Sequence, residues 1–247
     1  MKFLVKFNLV LIMLLAIGVS GVAYHFKNVT AENALESVTH EAQLLLEQII
    51  ALRKYTVKEI SPLLRSGGYE SEFHAQSVPA YAATQVGNLF KESRPEYNYK
   101  EAVFNPTNPR DNAAPWEEKV INKFIEDESL EKYVGKRIIN RTKVLYIAKP
   151  IKITNAACLA CHSVPEAAPK SMIEKYGKKR GFGWKLGEVV GIQMMTVPFT
   201  LPDELVAKTF KSVLMVLGFV FVFLLIGLNV LIHFLVVVPG RSGKKKV

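Results

Sequence analysis

The chain has 247 residues, with 32 Lys and Arg against 22 Asp and Glu, a formal charge of +10. Nine basic residues (Lys2, Lys6, Lys27, Lys208, Lys211, Arg241 and Lys244 to Lys246) flank two apolar ends that hold no acidic residue, so residues 28–206 carry 23 basic against 22 acidic groups, a net of +1. A nucleic-acid binder concentrates its positive charge on the folded domain; here the charge lies beside apolar segments, which excludes that class and points to a membrane.

Residues 1–27 open with Lys2 and Lys6 and contain an apolar run from Phe3 to Tyr24. They read as an N-terminal transmembrane anchor. Gly21-Val22-Ala23 also passes as the cleavage site of a secretory signal. Against cleavage, the run is long for a signal core, and no proline occurs before Pro62, so one helix can continue out of the membrane. Both alternatives export the middle of the chain.

Ala31 to Leu64 has a helical pattern. Leu35, Val38, Ala42, Leu45, Ile49, Leu52 and Thr56 alternate in threes and fours, the seam of a coiled coil. A second apolar set, Leu46, Ile50, Val57, Ile60 and Leu64, lies off that seam. Two readings follow: a homodimer through the 31–64 helix, or both stripes buried within one subunit.

Ser66-Gly67-Gly68 predicts a turn, Pro79 to Phe90 a short helix, and Tyr97 to Phe104 an aromatic-rich strand. Asn105-Pro106-Thr107-Asn108-Pro109 excludes regular structure and marks a loop. Trp116 to Ile125 is an amphipathic helix, and Arg137 to Asn140 with Lys143 to Ile153 form a hairpin. A helix is expected from about Glu166 to Tyr176, a turn at Gly177, Gly181 and Gly183, and an apolar strand from Glu188 to Val197. A long helix followed by paired strands and short helices implies an α+β domain on an antiparallel sheet over residues 28–206.

Ser212 to Val238 is an uncharged stretch of 27 residues. As a helix it spans about 40 Å, enough to cross a hydrocarbon core of about 30 Å with some tilt. Residues 207–239 are therefore a C-terminal transmembrane helix, and Arg241 with Lys244 to Lys246 make 240–247 a basic cytoplasmic tail. The expected location is a bacterial inner (cytoplasmic) membrane, with residues 28–206 facing the periplasm.

Cys158-Leu159-Ala160-Cys161-His162 is the C-x-x-C-H arrangement of c-type haem attachment. Each thiol adds to one haem vinyl group, and the two-residue gap matches the spacing of the vinyls. The histidine directly after the second cysteine is placed as the proximal iron ligand. A structural zinc site needs four ligands, and the chain has no second cysteine pair. A redox-active C-x-x-C is expected in a thioredoxin-like βαβ context, which this pattern lacks. Cys158, Cys161 and His162 are thus the cofactor-binding residues, His162 the metal ligand, and one covalently attached haem c the cofactor.

The chain resembles the Tll0287-like domain family, found in bacterial haem proteins and sensor kinases. The resemblance rests on Arg53-Lys54-Tyr55-Thr56, on Gln76 to Ala83, on Asn105 to Arg110, on Leu145 to Pro150, on the haem motif, on Pro165 to Pro169, and on Gly181-Phe182-Gly183-Trp184. It covers nearly all of the exported region. It implies a PAS-like fold carrying one c-type haem with a redox or sensory role. Some family members use a cysteine as the second axial ligand. This sequence has no third cysteine, so its distal ligand is another group or is absent.

His74 is the first candidate for that distal position, weighed against a surface role. Met194 and Met195 are alternatives on a strand where core packing is commoner, and His40 points away from the heptad seam. Arg53 and Tyr55 are candidates for hydrogen bonds to a haem propionate or a gas molecule, or for packing. Lys178-Lys179-Arg180 with Phe182 and Trp184 suits an acidic redox partner or anionic headgroups, against a plain solvated face. Asn229 and His233 lie four apart on one helix face and are candidate helix–helix contacts; His25 is interfacial. No second haem is expected.

Two function classes follow. In the first, a membrane-anchored monohaem c-type cytochrome acts as a haem-based redox or gas sensor. Nine residues follow Val238, so the signal is expected to pass to a separate partner. In the second, it is an electron-transfer cytochrome between a membrane complex and a soluble carrier. An enzyme is not expected, because no convincing acid–base set accompanies the motif.

Overall fold

The computed structural model describes residues 2–66 and 73–237. The turn expected at Gly67-Gly68 and the basic tail lie outside these residues. The chain divides into two units, Met1–Glu36 with Leu201–Val247, and Ser37–Thr200.

Helix α1, Lys2–Tyr55, runs through the first unit and into the second, and continues as a π-helical turn at Thr56–Ile60. In the first unit its apolar side chains, among them Val5, Leu9, Met13 and Ile17, are exposed. The same holds for Phe219 and Phe223 of the last helix, which runs from Thr200 to Ile232. Two helices are long and apolar enough to cross a membrane. Within this unit Asn8 and Asn229 exchange amide hydrogen bonds at 2.8 and 2.7 Å.

In the second unit, α2 (Ser61–Ser66) and α3 (Pro79–Ser93) precede strand β1 (Asn98–Val103). Pro79 opens α3 where its missing N–H costs nothing. Then come α4 (Pro115–Glu126), β2 (Tyr133–Ile139), β3 (Thr142–Lys152), α5 (Leu159–His162), α6 (Lys170–Tyr176) and β4 (Val189–Pro198); the last helix is α7. The four strands pair antiparallel in the order β1-β4-β3-β2. The expected hairpin is β2–β3, and it turns on Asn140 and Arg141, both with positive φ (48° and 65°). That two-residue geometry matches the right-handed twist of the strands.

Alternation along the strands divides the core. On one face Ala102, Tyr146, Ala148, Ile192 and Met194 pack on Val120, Ile121 and Phe124 of α4. Glu117 fixes the start of that helix, accepting from Ala114 N–H at 2.8 Å and from Lys100 Nζ at 2.6 Å. The opposite face presents Tyr99, Glu101, Leu145, Ile147, Met195 and Val197. It is tied to α1 by an ion pair between partly buried Arg53 and buried Glu101, and Tyr97, just before β1, donates to Glu41 at 2.6 Å. Helix α1 buries Val38, Ala42, Leu46 and Ile49, and the π-helical turn that continues it buries Thr56. Val38, Ala42, Ile49 and Thr56 belong to the heptad seam and Leu46 to the second set, whose Val57 stays exposed, so the seam is turned mostly into its own subunit.

The helix expected from Glu166 to Tyr176 is broken. Pro165–Ala167 form a 3-10 turn and α6 begins only at Lys170. Pro169 lacks an N–H and biases Ala168 away from helical geometry, which separates the two pieces.

Candidate haem site

The C-x-x-C-H motif lies at the end of the sheet where β3 leaves, β4 enters and β1 finishes. Asn155 starts it. Its side chain accepts from Ala157 N–H at 2.9 Å, and its carbonyl accepts from Cys158 N–H at 3.0 Å. The chain then turns through Ala156–Cys158 into α5. Helical spacing puts Cys158, Cys161 and His162 on one side, since residues three and four apart are neighbours. Both cysteines are partly exposed and neither is in a disulfide. The turn is fastened to the sheet by Ile153 N–H to the Glu188 carbonyl (2.9 Å) and Gly187 N–H to the Ile153 carbonyl (2.8 Å). Cys158, Leu159 and Trp184 pack against buried Val103, Ile153 and Val190.

His162 is held by its surroundings. Its Nδ1 lies 2.7 Å from the Gly181 carbonyl oxygen, so Nδ1 carries the proton and donates. The lone pair is left on Nε2. Burial holds the imidazole below the ordinary histidine range, against the Gly181 hydrogen bond, which raises it. The ring is therefore neutral at neutral pH, the form a metal requires. Trp184 stacks on its face, with ring centroids 4.0 Å apart and planes 13° from parallel. A metal binds in the plane of the ring at Nε2, so the stack does not obstruct it.

Gly181 occupies a position that only glycine fits. Its φ is +81°, and a Cβ there would lie 2.0 Å from Thr107 Oγ1 and 2.9 Å from Thr107 Cα. Among the described residues the Thr107 hydroxyl is buried with no hydrogen-bond partner. A buried orphan oxygen is open to an ordered water or to a bound group. Two adjacent thiols, a neutral imidazole with a presented Nε2 and a buried orphan hydroxyl nearby fit a c-type haem. Among the described residues no three His, Cys, Asp or Glu converge on one point as on a bare metal ion.

The Tll0287-like family (Tll0287) matches residues 31–198, more than half of the chain. This chain belongs to the Tll0287-like family. Every segment on which the resemblance rested falls within the matched region. The crystal structure of the cyanobacterial heme-protein Tll0287 aligns with a TM-score of 0.50 and 19% identity, covering 68% of this chain and 96% of that one. At that identity the likeness establishes the fold. A comparison with curated proteins finds no match.

Within this family member the other candidate residues separate. His74 is partly buried ahead of a 3-10 turn at Ala75–Ser77, and its carbonyl accepts from Ser77. Neighbouring Phe73 packs edge-on against Tyr176 and its N–H donates to Ser171 Oγ at 2.7 Å, so the segment rests on α6. Met194 belongs to the α4 core and Met195 is buried on the opposite face. Both are packing residues. Arg53 turns inward to Glu101, and Tyr55 is exposed. Lys178, Lys179 and Arg180 are exposed, as are His40 and His25. Asn229 makes the expected helix–helix contact, whereas His233 meets Phe234 of its own helix. The sequence did not single out Thr107, the Gly181 carbonyl or the stacking role of Trp184. Their one visible signal was the glycine spacing of Gly181-Phe182-Gly183-Trp184.

Proposed function

We propose that this chain is a membrane-anchored monohaem c-type cytochrome. Residues 28–206 form its extracytoplasmic domain, and residues 1–27 and 207–239 cross the membrane. Cys158 and Cys161 carry the thioether links and His162 Nε2 ligates the iron. The observation that carries the reading is the fixed tautomer of His162, whose Nδ1 is engaged by Gly181 directly beside two thiols at helical spacing. Bound haem would supply one-electron chemistry and a position for a small diatomic ligand. The polypeptide supplies the rest: it selects the imidazole nitrogen, keeps the ring neutral and shields one ring face with Trp184. The test is haem staining after denaturing electrophoresis. The wild-type chain should stain, and Cys158→Ser with Cys161→Ser should not. Haem that acid-acetone extracts from the wild type would refute covalent attachment.

Within this reading we place the chain as a PAS-like redox or gas sensor that signals through a separate partner. Helix α1 is shared between the apolar anchor and the sheet, and Arg53 and Tyr97 bind it to β1, which suits conversion of haem state into helix movement. Transfer of electrons between a membrane complex and a soluble carrier is the competing role. Carbon monoxide separates the two. A sensor with an exchangeable distal site takes it up rapidly when reduced, and comparison with His74→Ala reports whether His74 occupies that site. A ferrous haem that stays six-coordinate and ignores carbon monoxide would sink the gas-sensing role and favour the carrier. Pairing of two copies through the 31–64 helix is part of the same proposal.

A further inference from the structure

The segment Gly181-Phe182-Gly183-Trp184 is joined to the haem motif at four points. Gly183 N–H donates to the Ser163 carbonyl at 2.8 Å, and Trp184 N–H donates to the His162 carbonyl at 3.2 Å. The Gly181 carbonyl takes the His162 Nδ1 proton. The indole then covers the imidazole face at 4.0 Å. Backbone, ring edge and ring face of one histidine are thus all held by one short turn. Positive φ at Gly181 and Gly183 (+81° and +83°) brings the carbonyl and the indole to the same residue.

We infer that Trp184 is a positioning residue for the axial imidazole: it fixes the plane of the His162 ring and biases the iron toward its ferric state. The inference rests on the haem reading above. The carbonyl alone leaves the ring free to rock about the Nδ1–O line. A stack 13° from parallel removes that freedom. Partners that orient a metal-bound histidine also tune its basicity, and their loss costs about 10–100-fold in affinity or activity. The electrostatic direction follows from the indole. Ferric iron draws positive charge onto the imidazole, and the negative face of an indole attracts positive charge. The same indole packs on Val103, Ile153 and Val190, so a stability measurement alone would not separate positioning from packing.

The experiment uses the full-length holoprotein in detergent with Trp184→Leu and Trp184→Phe. It reads covalent haem on a denaturing gel, the midpoint potential, and the low-temperature electron paramagnetic resonance of the ferric state. Trp184→Leu should keep its haem, since both cysteines are untouched. Its ferric state should lose about tenfold in relative stability, a rise in potential of about 59 mV for a one-electron couple, and its ferric signal should broaden as the ring gains freedom. Trp184→Phe, which keeps an aromatic face, should move both readings less. Haem-loaded Trp184→Leu with unchanged potential and signal would overturn the inference while leaving the haem reading intact. A wild-type chain without covalent haem would overturn both. If Trp184→Leu does not accumulate, Trp184→Met carries the same comparison, because its flexible chain fills irregular space without a planar face.

Discussion

Replacement of Arg53 by methionine should be among the most damaging changes available in the sheet unit, although Arg53 is far in sequence from the haem motif. The Glu101 side chain is 5% exposed and that of Arg53 is 21% exposed. Glu101 also accepts from the Tyr99 hydroxyl at 2.9 Å. Burial works against the charge on Arg53, but Glu101 and Tyr99 outweigh it and hold the guanidinium above its ordinary range. Arg53 is therefore charged at every accessible pH. Arg53→Met leaves a buried carboxylate with one neutral donor, a loss of about 3–5 kcal/mol. At about 2–4 °C per kcal/mol for a unit of this size, Tm should fall by about 6–20 °C. Glu101→Gln should cost less, about 1–3 kcal/mol, because the partly exposed guanidinium can still reach water. The double variant should be no worse than Arg53→Met, which makes the coupling in a double-mutant cycle at least about 1 kcal/mol. The chain has two tryptophans, Trp116 and Trp184, and both lie in the unit Ser37–Thr200. Their fluorescence in detergent therefore follows that unit while the apolar helices stay silent. An unchanged Tm for Arg53→Met, or singles that add in the double, would refute the claim that this pair fastens α1 to β1.

Gly181→Ala forces a left-handed residue at a cost of about 1–2 kcal/mol before the overlap with Thr107 is counted, so it should lower both Tm and haem yield. Thr107→Gly should rescue only part of this, since Thr107 Cα stays 2.9 Å from the new Cβ; full rescue would show that the Thr107 side chain alone matters. Asn8→Cys with Asn229→Cys should be joined in membranes by a short thiol-specific bifunctional reagent, because the two amides are in hydrogen-bond contact, a separation a reagent spans and a direct disulfide does not; a mature chain lacking residue 8 would give no cross-link and would identify the N-terminal run as a removed signal. A reporter active only in the periplasm, fused after Val247, should stay silent, as the six basic residues at the extreme ends against Lys27, Lys208 and Lys211 require; activity there would reverse the orientation.

The C-x-x-C-H motif is local, and so the sequence alone exposes it: two thiols and a histidine within five residues need no tertiary information to be recognised. The apolar ends and the β2–β3 hairpin are equally legible, because each depends on a continuous run of residues. The break at Pro169 is also local, since a proline removes an N–H and restricts the residue before it. What the sequence could not reveal depends on pairs that the fold brings together. Glu101 and Arg53 are 48 residues apart, and Asn8 and Asn229 are 221 apart. Neither pair has a periodicity that announces it. His162 and Gly181 are 19 residues apart, joined by a backbone carbonyl that no side-chain pattern encodes. The residue types of the proposed haem site are therefore written in the chain. The ring nitrogen that would be offered to iron is selected only when the sheet end folds the Gly181 turn back over His162, because a hydrogen bond to one ring nitrogen is what leaves the other with its lone pair.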